Sequence, residues 1–100
     1  MASELYTMGI WNVKAGMEPQ FIDAWSQLAR WTKSACAGAE SVVLLQDSAN
    51  PRRFVSVGPW RSAADVAAWR ETDEFENAVA QMRPMLESFE PGTLTPVVRF

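Results

Sequence analysis

The chain has 100 residues, 48% of them hydrophobic and 21% charged, the balance of a folded domain rather than a disordered segment. A formal charge of -3 and a pI near 4.8, with no polybasic run, argue against nucleic acid or an anionic membrane as partner. With no histidine and one cysteine, Cys36, the chain excludes Ser-His and Cys-His nucleophiles, a histidine base, His/Cys zinc sites and an intrachain disulfide.

The start, MASELYTMGI, has neither the basic segment nor the apolar run of a signal peptide. No stretch approaches the ~18 apolar residues of a membrane span. Together with the lone cysteine, this suits the cytoplasm. No carboxylates cluster at metal-ligand spacing, and no metal or cofactor is expected.

In chain order, LYTMGIWNVK over Leu5 to Lys14 reads as a strand, rich in β-branched and aromatic residues and ending near Gly16. One face carries Leu5, Thr7, Gly9, Trp11 and Val13, the other Tyr6, Met8, Ile10, Asn12 and Lys14. A helix from Glu18 to Cys36 follows, with Pro19 suited to its first turn. Phe21, Ile22, Trp25, Leu28, Ala29, Thr32, Ala35 and Cys36 make its apolar stripe, Trp31 falls off it, and Gly38 is the stop.

SVVLLQ, Ser41 to Gln46, is a short apolar strand. DSANPRR turns the chain, and RFVSVGPW, Arg53 to Trp60, returns it as the second arm of a hairpin. Pro59, which has no N–H, predicts failed pairing or a bulge. Ser62 with Asp65 makes a capping-box-like helix start, and Thr72 caps a second helix with Asp73 and Glu74 in its first turn. Phe75, Ala78, Val79, Met82 and Leu86 form that helix's stripe, which Pro84 should end near Met82. Gly92 then turns the chain into a last strand, Thr93 to Phe100, with Pro96 marking it as an edge.

The order β-α-β-β-α-β predicts an α+β, ferredoxin-like protomer. It has an antiparallel four-stranded sheet, both helices on one face, and strands one and three in the centre. Both faces of the strands carry apolar residues, so the uncovered face predicts a homodimer formed through the sheet with twofold symmetry.

The strand with WNVKAG, the helix EPQFIDAW and the run VGPWRSAADVAAWRETDEF resemble the antibiotic biosynthesis monooxygenase domain, and the likeness covers about residues 5 to 99 of a chain read as one domain, 1–100. The resemblance implies a dimeric α/β barrel of ferredoxin-like protomers with a ligand site between sheet and helices. It also implies cofactor-independent oxidation of phenols or anthrones to quinones by O2. Haem-degrading relatives use an Asn, a Trp and a His. Here only Trp69 matches, with Gly9 at the Asn position and the His position near Val79, so haem degradation is disfavoured.

Placed in that site, alternation gives a test. If Trp60 faces the helices, so do Phe54, Ser56 and Gly58; if Trp11 does, Gly9 joins it. Two glycines on one face of central strands would leave a hollow, bordered by Trp11 and Trp60, with Trp25, Trp69, Phe75 and Met82 above. The alternative is that these tryptophans are plain core and the glycines mark bulges or close packing.

The catalytic candidates are Trp60, Trp69 and Asn12, with Tyr6 and Ser56 as further neutral polar groups and Arg83 as partner of an anionic substrate. The function expected is oxidation of an aromatic small molecule, and the alternative is a non-catalytic small-molecule binder on the same fold. The absence of histidine favours the alternative.

Overall fold

The computed structural model describes residues 5–100. Four strands, β1 (Leu5–Val13), β2 (Val43–Gln46), β3 (Arg53–Trp60) and β4 (Leu86–Leu94), form one antiparallel sheet in the order β2-β3-β1-β4. Three helices, α1 (Glu18–Ala35), α2 (Ala63–Arg70) and α3 (Asp73–Met82), complete the ferredoxin-like α+β fold. Among the described residues no helix is long and apolar enough to cross a membrane.

The strands alternate as expected. Thr7, Gly9, Trp11 and Val13 of β1 are buried, as are Phe54, Ser56, Gly58 and Trp60 of β3. Cross-strand pairs Trp11↔Phe54 and Gly9↔Ser56 put them on one face. Beneath α1 and α3, Val13, Phe21, Phe54, Met82 and Leu86 pack into the core, with Phe21 and Phe54 centroids 5.2 Å apart.

The buried line of α1 runs Phe21, Ala24, Leu28, Thr32, and the helix ends at Ala35. Ile22, expected on the stripe, points outward, while Trp31 packs against the core as a partly buried flank. Gly38 is no left-handed cap. A Cβ there would lie 2.4 Å from an Asp65 carboxylate oxygen, so glycine is required by close approach. The caps of α2 and α3 follow the sequence: Ser62 Oγ accepts from Asp65 N–H, and Thr72 Oγ1 from Phe75 N–H.

Two local features differ. Regular pairing in β2 begins only at Val43, because Ser41 and Val42 pass over Gly58 instead of extending the strand. Of the two outcomes expected at Pro59, failed pairing is the one seen: the ladder to β2 ends at the Val43↔Val57 pair, and Pro59 stays paired to Tyr6 of β1 without a bulge. Instead, the register shift falls between Asn12 and Val13, against β4.

The largest correction is the last strand. Pro84 ends α3 in a single 3-10 turn, Arg83–Met85, and β4 starts at once. Gly92 therefore sits inside the strand, and residues 95–100, with Pro96, carry no regular structure. The edge-strand proline is Pro91, opposite Gly9.

The face of the sheet away from the helices carries Met8, Ile10, Val55 and Val57 in cross-strand pairs. Val43 and Leu45 continue it at 45% and 50% exposure.

At Gly58 the main chain of Ser41 comes so close that a Cβ would lie 2.3 Å from its carbonyl oxygen. Because backbone cannot swing aside as a side-chain tip can, Gly58→Ala is expected to destabilise the fold by about 1–3 kcal/mol. Urea unfolding against the parent chain measures this, and an unchanged midpoint would contradict it.

Candidate functional site

The layer between sheet and helices is solid at one end and hollow at the other. At the Trp60 end lies a cavity of about 70 Å³. Trp11, Trp25, Trp60, Trp69, Phe75 and Phe89 wall it, and Thr7, Gly9, Thr32 and Ser56 line it between them. Its surface is mostly apolar, and among the described residues neither a carboxylate nor an imidazole lines it.

Each wall is held by an element already described. Trp60 closes β3 and Trp69 sits one residue before the end of α2. Their rings meet at 4.9 Å with planes tilted 42°, and Phe75 in the first turn of α3 meets Trp69 at 4.5 Å. Thr72, which caps α3, also donates its hydroxyl to the Trp69 carbonyl, locking the α2–α3 corner. On the far side Trp11 stacks on Phe89 of β4 at 3.9 Å and 16°.

A buried indole N–H needs an acceptor. Three tryptophans of the slot find one in a hydroxyl: Trp11 Nε1 donates to Ser56 Oγ at 3.0 Å, Trp60 to Thr7 Oγ1 at 3.1 Å and Trp69 to Thr32 Oγ1 at 3.0 Å. Each hydroxyl retains its own hydrogen, and among the described residues no hydrogen bond donated by it is found. Because the indole occupies one side of each oxygen, these hydrogens are available to a ligand in the slot. The indoles themselves are not: their N–H groups are already committed.

Gly9 is what permits this arrangement. A Cβ there would stand 2.8 Å from Trp11 Nε1, 3.0 Å from Ser56 Oγ and 3.1 Å from Phe89 Cε1. The space left by the missing side chain is thus taken by an indole edge, not left empty. Gly58 does not line the slot; Ser41 and Val42 fill its place and themselves form part of the wall.

Of the residues proposed from sequence, the structure brings Gly9, Trp11, Trp25, Ser56, Trp60, Trp69 and Phe75 together around the cavity. It places others elsewhere. Asn12 lies on the opposite face of the sheet, its amide donating to Ser88 Oγ at 2.8 Å, because it is one residue out of phase with Trp11. Tyr6 shares that opposite phase on β1. Phe54 and Met82 belong to the solid core, and Arg83 is exposed on the turn before β4.

The sequence reading missed Thr7, Thr32, Phe89 and Arg70. The signal for Thr7 and Thr32 was present, since each sits in a buried phase where a hydroxyl needs a reason. Phe89 could not be placed while β4 was set seven residues too late, at Thr93 rather than Leu86.

Cys36, just past α1, has its thiol held up in pKa by burial first, then by the negative charges of Asp65 and Glu74. It stays protonated at neutral pH and is a poor nucleophile.

The model of the family described as antibiotic biosynthesis monooxygenase matches residues 5–81. The chain belongs to that family. SnoaB, a cofactor-independent oxygenase from Streptomyces nogalater, superposes with a TM-score of 0.89 at 16% identity, covering 98% of this chain and 97% of its own. A Caulobacter crescentus protein named for the same family gives 0.89 at 17% identity over 97% and 92% of the two chains. At these identities the likeness establishes the shared fold. A 42.8 kDa protein of the whiE locus of Streptomyces coelicolor is 34% identical over 68 residues, and the match spans 68% of this chain but only 17% of that protein.

Replacing Ser56 by Ala leaves the Trp11 N–H, on a residue only 4% exposed, without an acceptor. The expected loss is about 1–3 kcal/mol of unfolding free energy. Ser88→Ala, which removes the exposed bond to Asn12, should stay within about 0.5 kcal/mol of the parent. Equal effects of the two in chemical denaturation would refute the assignment.

Proposed function

We propose that the chain is a cofactor-independent monooxygenase that oxidises a phenol-, hydroquinone- or anthrone-type small molecule with O2. The observation that carries this reading is the aromatic slot with three hydroxyl hydrogens available inside it. Flat rings stack on the walls, and the hydroxyls donate to the oxygen on which the substrate's negative charge develops.

The chemistry asks little else of the protein. The ionised substrate passes one electron to O2, and the resulting carbon radical and superoxide combine into a C–O bond. Protonation gives a hydroperoxide, which loses water to leave a carbonyl. In sum, CH2 and O2 become C=O and H2O, and all four electrons taken up by oxygen come from the substrate carbon. An apolar chamber favours electron transfer from the anion by excluding the water that would solvate it.

None of the described lining residues is a base, so the proton leaves to water or is already lost from the substrate. The pH dependence of kcat/KM is therefore expected to follow the substrate's own ionisation. Two substrates of different acidity should give profiles displaced by the difference in their pKa values, and one midpoint common to both would point to a protein base.

At about 70 Å³ the slot is narrower than the ~150 Å³ apolar cavity known to hold benzene. A fused-ring substrate has to spread the Trp60–Trp69 wall or leave part of itself at the mouth. Oxygen uptake with a panel of hydroquinones and anthrones tests the reading. Activity that falls at least tenfold in Trp60→Phe and Trp69→Phe, with folding retained, supports it. Quenching of tryptophan fluorescence without oxygen uptake supports the second reading, a binding protein, which the lack of a base among the described lining residues favours.

The half-exposed apolar face of the sheet leads us to propose a homodimer closed through it. Val43, Leu45, Met8, Ile10, Val55 and Val57 would be shielded, each worth roughly 1.5–3 kcal/mol if fully buried. Light scattering at micromolar concentration should give twice the 11.2 kDa chain mass; a particle of 11.2 kDa would overturn the assembly.

A further inference from the structure

The slot is rimmed by two cations that have no carboxylate partner among the described residues. Arg52, Arg53 and Arg61 pair with Glu87, Asp47 and Asp65. Lys33 and Arg70, both lining the cavity, do not enter any ion pair among the described residues. Lys33 donates to the backbone carbonyl of Glu40. Arg70 donates from Nη1 to Thr93 Oγ1 at 3.2 Å and from Nη2 to the Gly92 carbonyl at 3.4 Å.

Their position is fixed by the residues just before them. Thr32 and Trp69 are joined by an indole–hydroxyl bond, which pins the last turn of α1 to the end of α2. Lys33 and Arg70 leave that junction toward opposite sides of the slot, one toward the Glu40 segment and the other toward β4.

Arg70 is half-buried and tethered by neutral acceptors alone. Of the five N–H groups of a guanidinium, two are used in this way, and the remainder keep their donors and the full charge. A partly desolvated cation without a counter-charge is unfavourable, and the tether removes the freedom by which the side chain could swing into water. A chain with a net charge of -3 has no shortage of carboxylates, yet none of the described ones is placed here.

We infer that Arg70 binds a carboxylate carried on the aromatic ligand, with Lys33 adding only positive charge from the other rim, so that the substrate class is a hydroxy-aromatic acid. The proposal rests on the slot being the ligand site. The ring enters between Trp60 and Trp69, its oxygens meet the hydroxyls of Thr7 and Ser56, and the acid group stays at the mouth. That placement also eases the narrowness of the cavity, because the charged end need not enter it. A planar carboxylate suits a guanidinium that still presents unused N–H groups.

The test compares hydroxynaphthoate with its neutral carboxamide, the same rings without the charge, by quenching of tryptophan fluorescence. The parent chain should bind the acid about tenfold more tightly than the amide, as expected for a partly exposed charge-assisted contact. Raised salt should narrow the gap. Arg70→Gln should abolish the preference by weakening the acid far more than the amide, and Arg70→Lys should restore part of it. Thr93→Val loosens the same tether without touching the charge and should keep the preference.

Equal binding of acid and amide by the parent, or a preference that survives Arg70→Gln, overturns the inference while leaving the slot and its oxygen chemistry standing. A preference lost as fully in Thr93→Val as in Arg70→Gln also overturns it, because Arg70 would then be a strap only. An acid preference in a protein that consumes no oxygen with any substrate keeps the inference and removes the monooxygenase reading. Binding of neither ligand removes both.

Discussion

An indole N–H taken out of water must meet an acceptor, and this chain meets that demand three times with a side-chain hydroxyl. The consequence spreads outward. Each bond ties a tryptophan to a different element: Trp11 of β1 to β3, Trp60 of β3 back to β1, and Trp69 of α2 to α1. The same bonds that satisfy the core therefore set the width of the slot and orient the hydroxyls that a ligand would meet. Carbonyl acceptors would satisfy the indoles equally well but would bring no hydrogen of their own.

The division of the layer into a packed half and an open half follows from side-chain volume. At one end Phe21, Phe54 and Met82 fill the space beneath the helices. At the other, the small residues Thr7 and Ser56 leave room, Gly9 admits the edge of the Trp11 indole, and the rings stand around the cavity that results. The Trp11–Phe89 stack separates the halves, which is why Trp11 belongs both to the core and to the wall.

Much of this could be read from residue order, for identifiable reasons. Strict alternation made β1 and β3 legible to within a residue, and it correctly put Trp11, Gly9, Ser56 and Trp60 on one face. Hydroxyl caps at Ser62 and Thr72 made both short helices legible. The last strand was not, because Gly92 and Pro91 look like a turn when read locally. Only pairing with Gly9 and Met8, remote in sequence, makes them strand. That shift hid Phe89 and the tether of Arg70 to Gly92 and Thr93. Asn12 shows the opposite lesson: its chemistry suited a catalytic role, but parity along the strand sends it to the wrong face. Arginine roles were beyond pattern altogether, since nothing local distinguishes Arg70, at the cavity rim, from Arg83, out in solvent.

The meeting of Trp60 and Trp69, 4.9 Å apart and tilted 42°, has an optical side. Two identical chromophores so near and so obliquely set share their excitations, and the pair absorbs left- and right-handed light unequally. A guest ring sliding between them, or a mouth that spreads to admit one, must alter that shared excitation. The wall is thus its own reporter, with no label added to the chain.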